Sequence, residues 1–275
     1  MPELPEVETI VREVAPRLVG RRIRRAHLAK SDVLRRVSRQ RLLATLTGNT
    51  VVAAMRRAKH AVFQLKSGHR MVIQPRMTGS IIVHDPGWTD EESSYAVLTC
   101  TLTGGGVFVY RDVRRLGTVW LLDERGWAAY TARIGPEPLE PAFTPEVFAN
   151  ALSRTRSAVK KAIMDQRRLA GVGNIYANEA LFDARLDPSR PARSLSRVEA
   201  DALRLAIIDV LQRALRASGT TVRDYRTGTG ERGRFQFELK VYDRGGEPCA
   251  RCGRRLVTTH AIDLRQTTLC AFCQR

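Results

Sequence analysis

Four of the five cysteines lie in two pairs at the end of the chain, and their spacing is that of a metal site. The pattern is Cys249-x2-Cys252-x17-Cys270-x2-Cys273. Two thiolate pairs on tight turns supply the four soft ligands of a closed tetrahedral Zn²⁺ site, with no position open for catalysis. Iron–sulfur ligation and a redox dithiol are the competing interpretations, and the spacing favours one structural zinc ion. The fifth, Cys100, lies in an apolar alternating run and is predicted to be buried.

The charge of the chain indicates a polyanionic partner. Lys and Arg total 46 against 28 Asp and Glu, which gives a formal net charge of +18. That excess resists compaction and favours nucleic acid as the partner. The sequence contains no apolar run long enough for a bilayer, and its first residues lack the basic region of a signal peptide. We therefore expect a cytoplasmic protein with no membrane partner.

The elements that must position these residues change in type along the chain. Val7, Ile10, Val11, Val14 and Leu18 recur at helical spacing, and Gly20 closes this first helix. Short β-type runs with turn residues between them then predict an antiparallel sandwich or barrel. The predicted strands are Ile23–Leu28, Thr50–Met55, Ala61–Leu65, Met71–Ile73, Ser80–Val83, Tyr95–Thr101, Val107–Tyr110 and Thr118–Leu122.

The second half is predicted to be mostly helical. A stretch rich in Pro and Gly over residues 133–144 resembles an interdomain linker. Thr144 is a predicted helix cap, and Ser196-x-x-Glu199 is a capping box before a long amphipathic stripe. Residues 227–233 are predicted to be a flexible loop, and Phe235–Tyr242 a strand that enters the cysteine cluster.

Motifs along nearly the whole chain resemble the formamidopyrimidine-DNA glycosylases of the Fpg/Nei family. The chain begins with MPELPEVET, and further segments follow in family order. They are Arg57-Ala58-Lys59, Met77-Thr78-Gly79-Ser80, Arg111–Gly117, Gly135–Leu139, Gly171–Ala177, Gly219-Thr220-Thr221, Val241-Tyr242 and the cysteine finger. The resemblance implies an α+β fold with two domains. It places a catalytic antiparallel β-sandwich flanked by helices at 1–133 and a linker at 134–143. A helix-two-turn-helix domain with a lesion loop then spans 144–235, and a zinc-finger β-hairpin spans 236–275.

The same resemblance implies a bifunctional DNA glycosylase and AP lyase of base excision repair. Removal of Met1 frees the secondary amine of Pro2, and an α-amino group has a pKa near 8, so a useful fraction is nucleophilic at neutral pH. Pro2 then attacks the sugar and forms a Schiff base, Glu3 acts as the general acid and base, and β,δ-elimination cuts the strand. Lys59 matches the family lysine that serves the first elimination. Arg265 matches the finger arginine that binds phosphate in the second.

Other residues match family positions that contact DNA, and the implied partner is damaged double-stranded DNA. Asn174, in the turn before a helix, corresponds to the asparagine that binds phosphate near the lesion, where a helix start also attracts anions. Arg154 and Lys160 line the approach, and at least one is expected to contact DNA. The remaining cations of that segment are expected to be a solvated helix face. We expect a monomer with no small-molecule cofactor.

Three residues match the side chains with which the family fills the hole left by a flipped base. They are Met77, Arg114 and Leu116, the last in place of the usual Phe. Gln74-Pro75-Arg76, Val113 and Val97 also depart from the family pattern, which affects opposite-base preference and scanning and leaves the nucleophile untouched.

Two alternatives to an enzyme for oxidised purines remain open. An endonuclease VIII-type enzyme for oxidised pyrimidines would share the covalent chemistry, but the PELPEVET start and the long candidate lesion loop, Ser218–Tyr242, favour 8-oxoguanine and formamidopyrimidines. A non-catalytic, structure-specific DNA-binding zinc protein is the other alternative, because of the departures around Gln74 and Leu116.

Overall fold

The computed structural model describes residues 1–88, 94–222 and 224–275, so residue 223 of the candidate lesion loop lies outside the described residues. Contacts between Cα atoms divide the chain into two compact units. The first contains residues 1–132 and 217–234, and the second contains residues 133–216 and 235–275.

The first unit is an antiparallel β-sandwich, as predicted. The described residues form two four-stranded sheets, with strand orders β1-β6-β7-β5 and β2-β3-β4-β8. The strands are β1 (Ile23–Leu28), β2 (Val51–Arg57), β3 (His60–Leu65), β4 (Arg70–Gln74), β5 (Gly79–His84), β6 (Ala96–Leu102), β7 (Val107–Asp112) and β8 (Thr118–Leu122). All eight predicted strands are confirmed to within two residues at each end. Phe63 of one sheet packs edge-on against Phe108 of the other, with ring centroids 5.3 Å apart.

Within the part of the chain that the structure describes, three helices accompany the sandwich. The first, α1 (Leu4–Leu18), buries the predicted apolar stripe in the common core. The others, α2 (Arg39–Leu46) and α3 (Glu124–Thr131), were not predicted. The sequence signal for them is weak because α2 buries only Leu42 and Leu46, and no residue of α3 is classed as buried.

Residues 217–234 group with the first unit, whereas the prediction placed this segment in the helix-two-turn-helix domain. The reason is a set of hydrogen bonds to α1. The Glu6 carboxylate accepts the Thr220 N–H at 2.7 Å, and the Tyr225 hydroxyl donates to the Glu6 carbonyl at 3.3 Å. Further along, the Glu13 carboxylate accepts the Thr229 N–H at 2.9 Å.

The second unit is helical with a small β-hairpin. Its elements are α4 (Pro145–Ser153), α5 (Val159–Met164), α6 (Asn174–Asp183), α7 (Arg197–Arg216), β9 (Val257–Thr259) and β10 (Thr267–Leu269), with short 3₁₀ helices at Ala192–Ser194 and Phe235–Glu238. The predicted capping box is present, because the Ser196 and Glu199 side chains each accept the other residue's backbone N–H.

The segment predicted to be a linker groups with this unit, in which the Gly135 N–H donates to the Gln166 carbonyl and the Pro136 carbonyl accepts from Ala170. One prediction for this unit is wrong. The expected strand over Phe235–Tyr242 begins instead as a 3₁₀ helix. Its later N–H groups donate to the Glu179 carboxylate.

No helix in the described part of the chain combines the length and the apolarity that a bilayer span requires.

Candidate active site

The residues predicted to carry the chemistry begin at the N-terminus of α1. Pro2 is buried, and Glu3 is only 2% exposed. The Glu3 N–H donates to one oxygen of the Glu6 carboxylate at 2.8 Å, while the other oxygen accepts from Thr220. Residues this close to a chain terminus are usually disordered. Here the Glu6 carboxylate holds the segment in place, because it accepts from both Glu3 and Thr220.

Lys59 lies in the tight turn between β2 and β3 and is 4% exposed, so it is not a solvated strand lysine. Arg56 ties this turn to α1, because its guanidinium contacts the Glu8 carboxylate at 2.9 Å and donates to the Ala58 carbonyl at 3.0 Å. Ala58 itself has a left-handed backbone, with φ of 50°. The turn thus holds Lys59 in a fixed backbone conformation.

His60 supports the same turn from its other side. Its Nδ1 lies 3.1 Å from the Arg57 carbonyl and its Nε2 lies 2.9 Å from the Tyr130 hydroxyl. A carbonyl only accepts, so Nδ1 carries a proton, and in the neutral imidazole Nε2 accepts from the phenol. Burial raises the pKa of Tyr130 to about 12, which keeps that donor protonated at neutral pH.

The three predicted void-filling residues are displayed on the surface of the first unit. Met77 and Leu116 are each 44% exposed, which excludes core packing for Met77. Arg114 is also about half exposed and forms an ion pair with Asp224 at 3.6 Å. In contrast, Val97 is buried in β6 and has no access to DNA.

In the second unit, the predicted phosphate-binding residues occupy different environments. Arg154 ends α4 and is exposed, and Arg265 is exposed near the start of β10. Asn174 is the first residue of α6, not part of the preceding turn, because Gly173 occupies the N-cap. Its side-chain amide donates to the Gln266 carbonyl at 3.0 Å. Asn174 is therefore linked to the residue next to Arg265.

Lys160 differs most from its prediction. It is 0% exposed, and its ammonium donates to the Thr267 hydroxyl at 2.7 Å and the Gln266 carbonyl at 3.2 Å. It also pairs with Asp263 at 3.4 Å. These contacts favour a structural role for Lys160, and of the two residues of which at least one was expected to contact DNA, Arg154 is the exposed one.

The four finger cysteines converge as their spacing predicts. Their sulfur atoms all lie within 4.8 Å of one another. The Cys249–Cys273 and Cys252–Cys270 separations are 4.0 and 3.5 Å. A tetrahedron with Zn–S bonds of about 2.3 Å requires edges of about 3.8 Å. The four cysteines can therefore bind a metal ion, and their geometry fits zinc.

Sequence reasoning missed Glu179, which organises the chain before the finger. It is fully buried in α6, and its carboxylate accepts the N–H groups of Lys240, Val241 and Tyr242 at 2.8–2.9 Å. Burial raises the pKa of Glu179, although the three N–H donors oppose that shift. The only available signal was an acidic residue inside the mostly apolar stretch Ile175–Phe182.

Comparison with known proteins agrees with this arrangement. The family model described as the formamidopyrimidine-DNA glycosylase N-terminal domain matches residues 1–119, and the H2TH domain of the same enzymes matches residues 134–226. The chain is 40% identical to the formamidopyrimidine-DNA glycosylase of Thermomicrobium roseum, covering 100% of this chain and 99% of that one. The Desulfitobacterium hafniense enzyme is 38% identical, with full coverage of both.

Solved structures give the same result. A Lactococcus lactis Fpg variant bound to DNA containing Fapy-dG superposes with a TM-score of 0.91 at 31% identity, covering 100% of both chains. MutM bound to DNA containing carbocyclic 8-oxo-G gives 0.91 at 32% identity, again covering 100% of both chains.

A β-sandwich with a buried N-terminal Pro-Glu, an H2TH domain and a four-cysteine finger define a DNA glycosylase of base excision repair. The chain belongs to the formamidopyrimidine-DNA glycosylase family, and AP lyase activity is typical of that family.

Proposed function

We propose that this enzyme excises oxidised purines, 8-oxoguanine and formamidopyrimidines, through a Schiff base at Pro2 and then cuts the strand by β,δ-elimination. The observation that carries the proposal is the burial of Pro2 and Glu3 at the start of α1, where Glu6 fixes the backbone. A nucleophile gains most when it is held in one reactive position.

The proposed chemistry begins once Met1 has been removed. The free amine of Pro2 attacks C1′ of the damaged nucleotide, and Glu3 delivers the proton that the departing base requires. The sugar ring then opens as the C1′–O4′ bond breaks and Glu3 protonates O4′, which leaves an iminium between Pro2 and C1′. This iminium withdraws electrons and acidifies the 2′ protons, so the 3′ phosphate leaves first and the 5′ phosphate follows. Lys59, which is almost fully buried in the turn between β2 and β3, serves as the acid of the first elimination.

DNA binding in this proposal uses exposed groups and the partly buried Asn174. Met77, Arg114 and Leu116 fill the hole left by the flipped nucleotide. Arg154, Arg265 and Asn174 bind phosphates, with Arg265 also serving the second elimination. Zinc at the four cysteines stabilises the finger that carries Arg265. The enzyme acts as a cytoplasmic monomer associated with the nucleoid through DNA.

Borohydride trapping tests the proposal, because it reduces the iminium to a stable covalent adduct. Duplexes containing 8-oxoguanine opposite cytosine, or an abasic site, should be trapped by the native protein. Pro2→Gly, or a form with extra residues ahead of Pro2, should reduce trapping to background. Pro16→Ala is the matched control, since Pro16 is an exposed proline of the same helix.

A parallel duplex with thymine glycol separates the two substrate classes. Preferential cleavage of thymine glycol would support the endonuclease VIII-type alternative. Failure of the native protein to form any adduct would contradict the enzymatic proposal and favour a DNA-binding zinc protein.

A further inference from the structure

Two neighbouring loops of the first unit pass from one sheet of the sandwich to the other. Residues 75–78 connect β4 to β5, and residues 113–117 connect β7 to β8. Met77 lies on the former loop, while Arg114 and Leu116 lie on the latter. Each loop contains an arginine with left-handed backbone, Arg76 and Arg115, both with φ of 52°. Such backbone strain in non-glycine residues persists only where surrounding contacts enforce it.

The enforcing contacts converge on Asp112, the last residue of β7, which is 1% exposed. Its carboxylate accepts the Thr78 hydroxyl at 2.5 Å, the Gly117 N–H at 2.7 Å and the Tyr110 hydroxyl at 3.2 Å. Thr78 ends one loop and Gly117 ends the other. One buried carboxylate therefore holds both loops.

Thr78 extends this connection to a third position. Because its hydroxyl proton is given to Asp112, its oxygen accepts the backbone N–H of Arg114 at 3.1 Å. The exposed ion pair between Arg114 and Asp224, at 3.6 Å, fixes its side chain only weakly. The backbone position of Arg114 thus depends on the buried hydroxyl more than on its surface partner.

The packing around this carboxylate leaves little room for rearrangement. A Cβ atom added at Gly117 would lie 1.9 Å from the Tyr110 hydroxyl and 2.8 Å from the Gln74 carbonyl. Burial, followed by the charge of Asp112, raises the pKa of Tyr110, so its hydroxyl stays protonated and donating. A buried carboxylate is tolerated because charge-assisted hydrogen bonds replace its hydration, and those bonds are the strong ones.

We propose that Asp112 and Thr78 are positioning residues that hold Met77, Arg114 and Leu116 as one preformed wedge for opening the duplex. The inference rests on the void-filling role assigned under the proposed function. The three wedge side chains are substantially exposed and gain little from packing, so their placement must come from the backbone beneath them. A preformed wedge avoids the entropy cost of ordering two loops on DNA.

Thr78→Val tests the proposal, because it keeps the side-chain shape and removes the hydroxyl. Thr78→Ser retains the hydroxyl and is the conservative rescue. Thr45→Val is the matched control, since it removes a hydroxyl bonded to the Arg41 carbonyl on α2. Each variant is assayed by single-turnover excision of 8-oxoguanine from a duplex, and by borohydride trapping on a single-stranded abasic oligonucleotide that needs no opening.

We expect Thr78→Val to lose about tenfold in duplex excision, the scale of one hydrogen bond to a charged group. Trapping on the single strand should stay within about twofold, and Thr78→Ser and Thr45→Val should match the native enzyme. Equal losses on both substrates would indicate a general folding defect and overturn the inference, as would native duplex activity in Thr78→Val. A native protein inactive on both substrates would instead refute the proposed function.

Discussion

Two pairs of buried charged groups, one pair from each unit, have different assignments. In the first unit, Glu3 and Lys59 are almost fully buried and are the groups assigned to acid–base chemistry. In the second unit, Lys160 and Glu179 are equally buried, yet their contacts are with the finger and the chain before it. The exposed residues Arg154 and Arg265 are the ones available to phosphate.

Burial of a charge therefore does not by itself identify a catalytic group. A reacting amine or carboxylate needs shelter so that its protonation state is controlled. A charged side chain with a structural role is buried because the partners that it binds are themselves buried. A reacting group and a structural ion are therefore distinguished by the residues that each one contacts.

The largest expected effect is that of metal removal on the second unit. Structural zinc contributes roughly 10–16 kcal/mol to small domains that depend on it. Chelation, or Cys270→Ala, should therefore unfold the finger and abolish duplex binding, while the β-sandwich of the first unit keeps its near-UV circular dichroism. Cys100→Ala is the control, because this buried thiol of β6 lies outside the cluster and should leave one zinc per chain. Duplex binding that survives complete zinc removal would show that the finger is not needed for DNA.

The next effect concerns Lys160 as a scaffold ion. Lys160→Met leaves Asp263 without its buried cation, and breaking a buried pair costs about 3–5 kcal/mol. Urea unfolding should show this loss. Lys161→Met, at the exposed neighbouring lysine, should show almost none. If the two variants were equally stable, the assignment of Lys160 to the scaffold would be wrong.

The smallest effect belongs to a partly exposed pair at the start of α7. The Arg190 guanidinium beside Glu199 lowers the pKa of that carboxyl from 4.5 to about 2. Because the folded-state pKa is depressed, the added stability is complete above pH 4.5 and is lost as the pH falls toward 2. Both side chains are about one third exposed, so the contribution is about 1 kcal/mol or less.

Unfolding free energies of the native protein and Glu199→Gln, measured across that range, check this prediction. The difference should be present at neutral pH and absent near pH 2, and it should shrink in an Arg190→Gln background, where Glu199 keeps its hydrogen bond from the Ser196 N–H. A difference that persisted at low pH would mean that the ion pair is not its source.

Patterns within short segments predicted most of the fold. The eight strands follow from alternating apolar residues with turns between them, and the convergence of the four cysteines follows from their spacing. The errors occur where distant contacts decide the structure. Phe235–Tyr242 alternates like a strand, but Glu179 captures its N–H groups from more than fifty residues away along the chain. Lys160 resembles a surface cation until Asp263, 103 residues further on, is placed against it.

In the candidate site, too, the sequence predicted individual residues but not the contacts between distant ones. The resemblance supplied Pro2, Glu3 and Lys59, and the structure showed that all three are buried. Asp112 and Thr78 both lie in segments that resemble the family, but their contact gave no signal in the sequence, because the two residues are 34 positions apart. Hydrogen-bonded supports of this kind depend on strand pairing, here Gly79 opposite Asp112, which a single sequence does not reveal.

The central claim is that the covalent link to DNA forms at the amine of Pro2, and mass spectrometry of the trapped complex tests it most directly. The account predicts an active enzyme whose intact mass lacks Met1. After nuclease and trypsin digestion, the sugar remnant should lie on the peptide that begins with Pro2. A remnant on Lys59 or another lysine, or full activity in protein that retains Met1, would contradict it.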